Sequence, residues 1–201
     1  MKKYTEKELI DFETDIGECF NNGMIKAPIH LYFGNEKEMI DIFNNVTSED
    51  WVFCTWRSHY QCLLKGVPPE ELKQDIVSGK SITLCYPEYR IYSSAIVTGS
   101  IPISVGVALD IKRKNLSNHV WCFVGDMASE TGTFFENWKY AVNHDLPITF
   151  VVEDNNKSVC TDTRKVWNSE KLFFQEPKPQ VVYYQYESKY PHAGAGKRIQ
   201  F

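Results

Sequence analysis

No apolar run in this 201-residue chain approaches the roughly 20 residues a membrane-spanning helix needs. Basic residues are not in excess either. Twenty-two Lys and Arg stand against 26 Asp and Glu, a formal charge of −4, so the electrostatic footprint of a nucleic-acid binder is missing. There is no C-x-x-C pair. Cys19, Cys54, Cys62, Cys85, Cys122 and Cys160 are scattered without a partnered His spacing, which predicts reduced, unmetallated thiols. Glycine and proline, at 11 and 9, are too few for a collagen-like or low-complexity chain. Internal repeats and a Pro/Ser-rich linker are also lacking, and the charged start Met1 to Glu8 is unlike a signal peptide. A soluble, cytoplasmic globular protein is expected, with residues 1–201 in a single domain large enough to bury roughly 70% of its unfolded surface.

What is present is a succession of helical and strand patterns. Glu6 to Asn21 carries Leu9, Ile10, Phe12, Ile16, Cys19 and Phe20 at amphipathic helical spacing, and Glu36 to Val46 repeats it through Met39, Ile40, Ile42 and Phe43. Trp51 to Thr55 reads as a short buried strand. Pro69 opens a helix that Gly79 closes, and Ser100 with Pro102 caps another that runs to Lys112-Arg113-Lys114. Val120 to Val124 and Ile148 to Val152 are continuous apolar runs flanking a helical pattern at 131–144. Strand, helix, strand in that order is a parallel βαβ unit. The fold class is therefore α/β, a three-layer arrangement with a mostly parallel sheet and helices on both faces. Ligands of such sheets bind beyond the carboxyl ends of the strands.

Two polar clusters fall at that edge. Asp126 follows the first run, and Glu153-Asp154-Asn155-Asn156 follows the second. Adjacent strands, about 4.8 Å apart, would let Asp126 and Asn155 share one ion. A carboxylate with an amide oxygen suits a hard cation, magnesium or calcium, that completes its shell with phosphate oxygens and water. A Gly-Asp at a strand end also serves as an ordinary turn, and both readings stand on these residues alone.

Gly125-Asp126 followed by Asn155 resembles the thiamine-diphosphate motif, a Gly-Asp-Gly with a later Asn pair. The stretch GDMASETGTFFENWKYAVNHDLPITFVVEDNN is similar to the alpha subunit of thiamine-diphosphate-dependent 2-oxoacid dehydrogenases, within the transketolase-like superfamily. Upstream, Phe12-Glu13, Gly23 and His30-Leu-Tyr-Phe-Gly34-Asn35-Glu36 resemble that family's opening. Trp56-Arg57-Ser58-His59 with Lys65-Gly66, and Ala95-Ile-Val-Thr-Gly99-Ser-Ile-Pro102, resemble its Tyr-Arg-x-His and Gly-Ile-Val-Gly-Ala-Gln-Val-Pro segments. The resemblance implies magnesium on Asp126, Asn155 and the Lys157 carbonyl. It places Trp56 and Arg57 at the diphosphate of thiamine diphosphate, a guanidinium fork suiting phosphate oxygens. Backbone groups of Ala95 and Val97 would meet the aminopyrimidine, and those of Met127 and Ala128 the phosphates. His30 and His59 would face the reaction side.

The resemblance further implies a separate beta-like pyrimidine-domain chain in an α2β2 assembly, and a small-molecule 2-oxoacid or ketose substrate that is decarboxylated or gives up a two-carbon or acyl unit. Departures are plain. Met127 stands where the family has Gly, and Asn35 where it has Gln. Residues 79–94 are shortened, and residues 160–201 are truncated or divergent, with no helix expected before Val181 and with Glu187-Ser-Lys-Tyr-Pro-His192 in place of the phosphate-binding His loop. These departures motivate an alternative, a noncatalytic relative that binds or regulates a partner. A Rossmann nucleotide binder is disfavoured because no Gly-x-Gly-x-x-Gly follows a strand.

Overall fold

The computed structural model of the chain describes residues 2–197. Helix α1 (Glu6–Asn21) begins at a capping box, with Thr5 accepting from the Glu8 N–H and Glu8 accepting from the Thr5 N–H, and buries Leu9, Glu13, Ile16 and Cys19. Helix α2 (Glu36–Phe43) buries Met39, Ile42 and Phe43. Strand β1 (Trp51–Cys54) leads into α3 (His59–Lys65), a helix the periodicity does not announce. All seven of its residues are buried, so no polar face alternates with an apolar one. Helix α4 (Pro69–Asp75) starts at its proline as expected, but the α-helical backbone gives way at Ile76 to a wider turn in which Gly79 takes φ 94°.

Strands β2 (Cys85–Tyr86) and β3 (Ile91–Ser93) are too short to show a period. Helix α5 (Ser100–Arg113) is capped by Gly99, so Ser100 is already helical, one residue earlier than the sequence suggests. Then follow β4 (Val120–Gly125), the short α6 (Asp126–Ser129), α7 (Gly132–Asn143) and β5 (Ile148–Asp154). A small hairpin pairs β6 (Lys157–Ser158) with β7 (Thr161–Asp162). One turn of helix, α8 (Thr163–Trp167), lies where none was expected, and β8 (Val181–Gln185) ends the sheet.

The strand order is β2-β3-β1-β4-β5-β8. Every pair is parallel except β2 with β3. Alternation along the strands feeds two cores. Val52, Cys54, Phe123 and Val151 pack with α1, α2, α3 and α4 on one face. Phe53, Cys122, Val124, Phe150 and Val152 pack with α5 and α7 on the other. Helices therefore cover both faces. Phe134 of α7 meets Phe150 and Phe174 edge-on, with ring centroids 5.1 and 4.7 Å apart. Each such pair contributes about 1 kcal/mol beyond its buried area and pins the segment before β8 to the helix layer. Among the described residues no helix is long and apolar enough to cross a membrane.

Candidate functional site

Because β1, β4, β5 and β8 run in one direction, their carboxyl ends open onto a common edge. Gly125 is in register with Glu153, so Asp126 and Asn155 leave neighbouring strands side by side. Trp56, Arg57, Val97, Asp126, Met127, Ala128, Asn155 and Lys157 line one cleft. A second, more polar hollow adjoins it and shares Arg57, Asn155, Lys157 and His192.

Asp126 is buried, 2% exposed, at the first position of α6. Its Oδ2 finds no hydrogen-bond partner within the protein. Burial pushes its carboxyl up to about 6, against the opposing pull of Thr163 and of the Asp126 and Met127 N–H groups. A buried acid short of partners is a natural anchor for a cation, which would restore the ionised form. Asn155 Oδ1 accepts from the Lys157 N–H at 3.0 Å, a turn that keeps the amide oxygen and the Lys157 carbonyl on one small loop. Among the described residues no three His, Cys, Asp or Glu side chains gather into a metal cage. Asp126, Asn155 and the Lys157 carbonyl could offer a cation one carboxylate, one amide oxygen and one carbonyl. That suits magnesium, which joins few protein oxygens to phosphate oxygens and water, and does not suit zinc.

Arg57 lies against the Tyr32 ring, 5.8 Å from its centroid, and its Nη2 reaches the His192 carbonyl at 3.5 Å. Its Nε has no partner, so donor capacity is left for an anion. His30 stands behind this wall, its ring 5.8 Å from Trp56 and 4.6 Å from His192. Its Nδ1 lies 2.5 Å from the His192 carbonyl, so the proton sits on Nδ1 and Nε2 is left as an acceptor. Burial lowers its pKa to about 4, which keeps the ring neutral near pH 7.

His59 is placed elsewhere. It is fully buried, with Nδ1 3.0 Å from Glu13 Oε2 and Nε2 2.9 Å from Ser81 Oγ. It does not line the cleft. Ala95 lies on the exposed turn that carries Val97, outside the cleft wall.

The sequence reading left Glu153 without a role of its own. The structure sets its buried carboxylate in the cleft lining, where it accepts from the Tyr184 hydroxyl at 2.6 Å and from Tyr32 at 3.0 and 3.1 Å. Asn35 Nδ2 donates to the same Tyr184 hydroxyl at 2.9 Å. Burial raises Glu153 to about 7, opposed by Tyr184, Tyr32 and Arg57. His192 and Tyr186 also join the wall. A polar residue directly after an apolar strand could have flagged Glu153, but nothing local marks His192.

The dehydrogenase E1 component family matches residues 4–177. The chain belongs to that family. It is 30% identical over 165 residues to the alpha subunit of acetoin:2,6-dichlorophenolindophenol oxidoreductase from Bacillus subtilis, a match covering 77% of this chain and 49% of that protein. It is 29% identical over 161 residues to the protein of the same name from Cupriavidus necator, covering 75% and 48%. It is 27% identical over 166 residues to the pyruvate dehydrogenase E1 component subunit alpha of Porphyra purpurea, covering 74% and 48%. The chain thus spans about half the length of the curated relatives it matches.

Two features of this E1 chain's cleft concern its backbone. Met127 lies in α6, outside the left-handed region, so its local backbone makes no demand for glycine, and its side chain forms part of the wall. Thr98 and Val159, both lining the cleft, have φ of 64° and 58°. For β-branched residues this conformation is strained, at a cost of about 1–2 kcal/mol. Thr98→Gly is expected to relieve that strain. Glycine's greater freedom in the unfolded chain offsets part of the gain, leaving about 1 kcal/mol, seen as a higher urea midpoint at unchanged slope. A lower midpoint would show that the Thr98 side chain is held by contacts worth more than its strain.

Proposed function

We propose that this chain is the diphosphate-binding half of a thiamine-diphosphate-dependent 2-oxoacid dehydrogenase or decarboxylase, with residues 1–201 acting as one domain. Asp126, Asn155 and the Lys157 carbonyl would hold magnesium. Arg57 and Trp56, with backbone groups of Met127 and Ala128, would hold the diphosphate, and backbone groups of Ala95 and Val97 would meet the pyrimidine. The bound cofactor supplies an electron sink for carbanion chemistry next to a carbonyl. The chain's own part is to bind, orient and exclude water. His30 presents a neutral ring whose Nε2 can accept a proton from, or share one with, a reacting oxygen. His59 acts at a distance, tying α3 to α1 through Glu13 and to the turn after α4 through Ser81. The pyrimidine end of the cofactor would rest on a separate beta-like chain, in an α2β2 complex, and the substrate is a small 2-oxoacid.

The observation carrying this reading is the buried, under-partnered Asp126 beside Asn155 at the carboxyl ends of β4 and β5, within the E1-family match. Calorimetric titration with magnesium and thiamine diphosphate, with and without the pyrimidine-domain chain, tests it. Magnesium-dependent binding is expected in the complex, together with turnover only when both chains are present. Substantial decarboxylation by this chain alone would contradict the split arrangement. A noncatalytic, partner-binding role is the second reading, favoured by Met127 in the cleft wall and by the divergent segment carrying His192. Absence of magnesium-dependent binding in the reconstituted complex selects it.

A further inference from the structure

Thr163 has a fully buried side chain whose hydroxyl finds no hydrogen-bond partner within the protein. A hydroxyl in that position costs stability unless something uses it. Its place in the chain is informative. Residues 155–162 form the loop and hairpin bearing Asn155 and Lys157, and Thr163 is the first residue beyond it, where α8 begins.

The base of that loop is tightly closed. The Thr163 N–H donates to the Asn156 carbonyl at 3.2 Å. Arg164 reaches Asn156 Oδ1 at 2.9 Å and forks onto the buried Asp154 carboxylate at 3.1 and 2.6 Å. Asn156 Nδ2 donates to Asp162 at 3.2 Å. Asp154, Asn156, Asp162 and Arg164 are all engaged at this closure, whereas the buried Thr163 hydroxyl is not. Helix α6, which begins at Asp126, packs against strand β6 of this hairpin, and Asp126 Oδ2 is a second buried oxygen without a partner.

We infer that Thr163 is a positioning residue for the cation site: when a divalent ion is held jointly with Asn155 and Lys157, its hydroxyl would donate to the Asp126 carboxylate and turn it toward that ion. This rests on the magnesium reading above. Thr163 would then join the two halves of the donor set, Asp126 from the end of β4 and the loop from the end of β5. Partners of metal ligands commonly govern affinity in this way, and their loss typically weakens metal binding 10–100-fold. The residue also accounts for an otherwise unused buried hydroxyl.

The test measures binding of Mn²⁺, as a spectroscopic stand-in for Mg²⁺, by electron paramagnetic resonance. It uses the full chain with thiamine diphosphate and the pyrimidine-domain partner, alongside the melting temperature of the metal-free chain. Thr163→Val keeps the side-chain shape and removes the hydroxyl. It is expected to weaken Mn²⁺ binding about tenfold while leaving the metal-free melting temperature equal or higher. The opposite signs separate a positioning role from a structural one. Thr163→Ser, which keeps the hydroxyl, is expected to bind within about twofold of the parent. Unchanged binding in Thr163→Val overturns the inference while leaving the magnesium reading intact. Equal weakening in Thr163→Ser also overturns it, since the hydroxyl would then not be the operative group. No saturable Mn²⁺ binding by the parent complex overturns both the inference and the reading on which it rests.

Discussion

Asp126→Asn is expected to abolish magnesium-dependent binding of thiamine diphosphate, a loss of at least about a hundredfold, and to stabilise the metal-free chain at neutral pH. The first effect follows from removing the only carboxylate in the proposed donor set. The second follows from the sign of the pKa shift. In the folded chain burial raises Asp126 to about 6, against about 3.9 when unfolded. The folded state therefore holds this proton more tightly. Below about pH 4 the group costs nothing, and its penalty builds between about pH 4 and 6 and is complete above that. Replacing it by a neutral amide removes that penalty, worth about 3 kcal/mol at pH 7. Glu153, raised to about 7 by burial, acts in the same direction, whereas Asp154, lowered chiefly by its Arg164 and Tyr183 partners against burial, acts in the opposite one. Magnesium favours the ionised Asp126, so the rise in melting temperature it produces is expected to be larger at about pH 7.5 than at about pH 5. An Asp126→Asn variant that binds cofactor normally would remove Asp126 from the site.

Gly34→Ala is expected to cost about 3 kcal/mol or more and to release the chain around residues 187–196. A Cβ at Gly34 would stand 2.3 Å from the Glu187 carbonyl oxygen, and its φ of 92° suits glycine alone. The left-handed backbone accounts for about 1–2 kcal/mol, and the displaced carbonyl for a comparable amount. Glu187 opens the segment whose Gly194 N–H donates to the Ile29 carbonyl at 2.9 Å, whose Tyr190 ring stands edge-on to Phe33, and whose His192 carbonyl faces His30. Pushing Glu187 outward therefore loosens one side of the cleft. Urea unfolding measures the cost, and limited proteolysis is expected to cut first between residues 187 and 196. A loss below about 1 kcal/mol with no new cleavage would mean that the segment is held independently of Gly34.

The parts of the fold legible in the sequence are those with local causes. The β4–α7–β5 unit announces itself through two uninterrupted apolar runs, and α1 through its stripe and capping box. Helix α3 is silent because burial on every side erases its period. Strand β3 is silent because three residues, Ile91, Tyr92 and Ser93, show no alternation. Asp126 and Asn155 could be paired in advance, since adjacent parallel strands bring their carboxyl ends together. The Glu153 network could not. Its donors Tyr32 and Tyr184 lie 121 and 31 residues away and meet it only once β8 has paired with β5. The separate placements of His30 and His59 also lay beyond the sequence. Both sit in family-like segments, yet one ring adjoins Trp56 at the cleft wall while the other is enclosed by Glu13 and Ser81. The helical turn α8 escaped notice because five residues are too few to carry a stripe.

The contact between His30 and the His192 carbonyl spans 162 residues, and this sets the order of events when the chain folds. On a ribosome the helices and the central strands can assemble while the cleft still lacks one side, and β5 keeps an unpaired edge until Val181–Gln185 emerges. Closing so long a loop comes late because its entropy is lost before the contact gives any return. A ligand needing both walls has nothing complete to hold before that point. Its binding energy would therefore act on the finished molecule, slowing unfolding far more than it speeds folding.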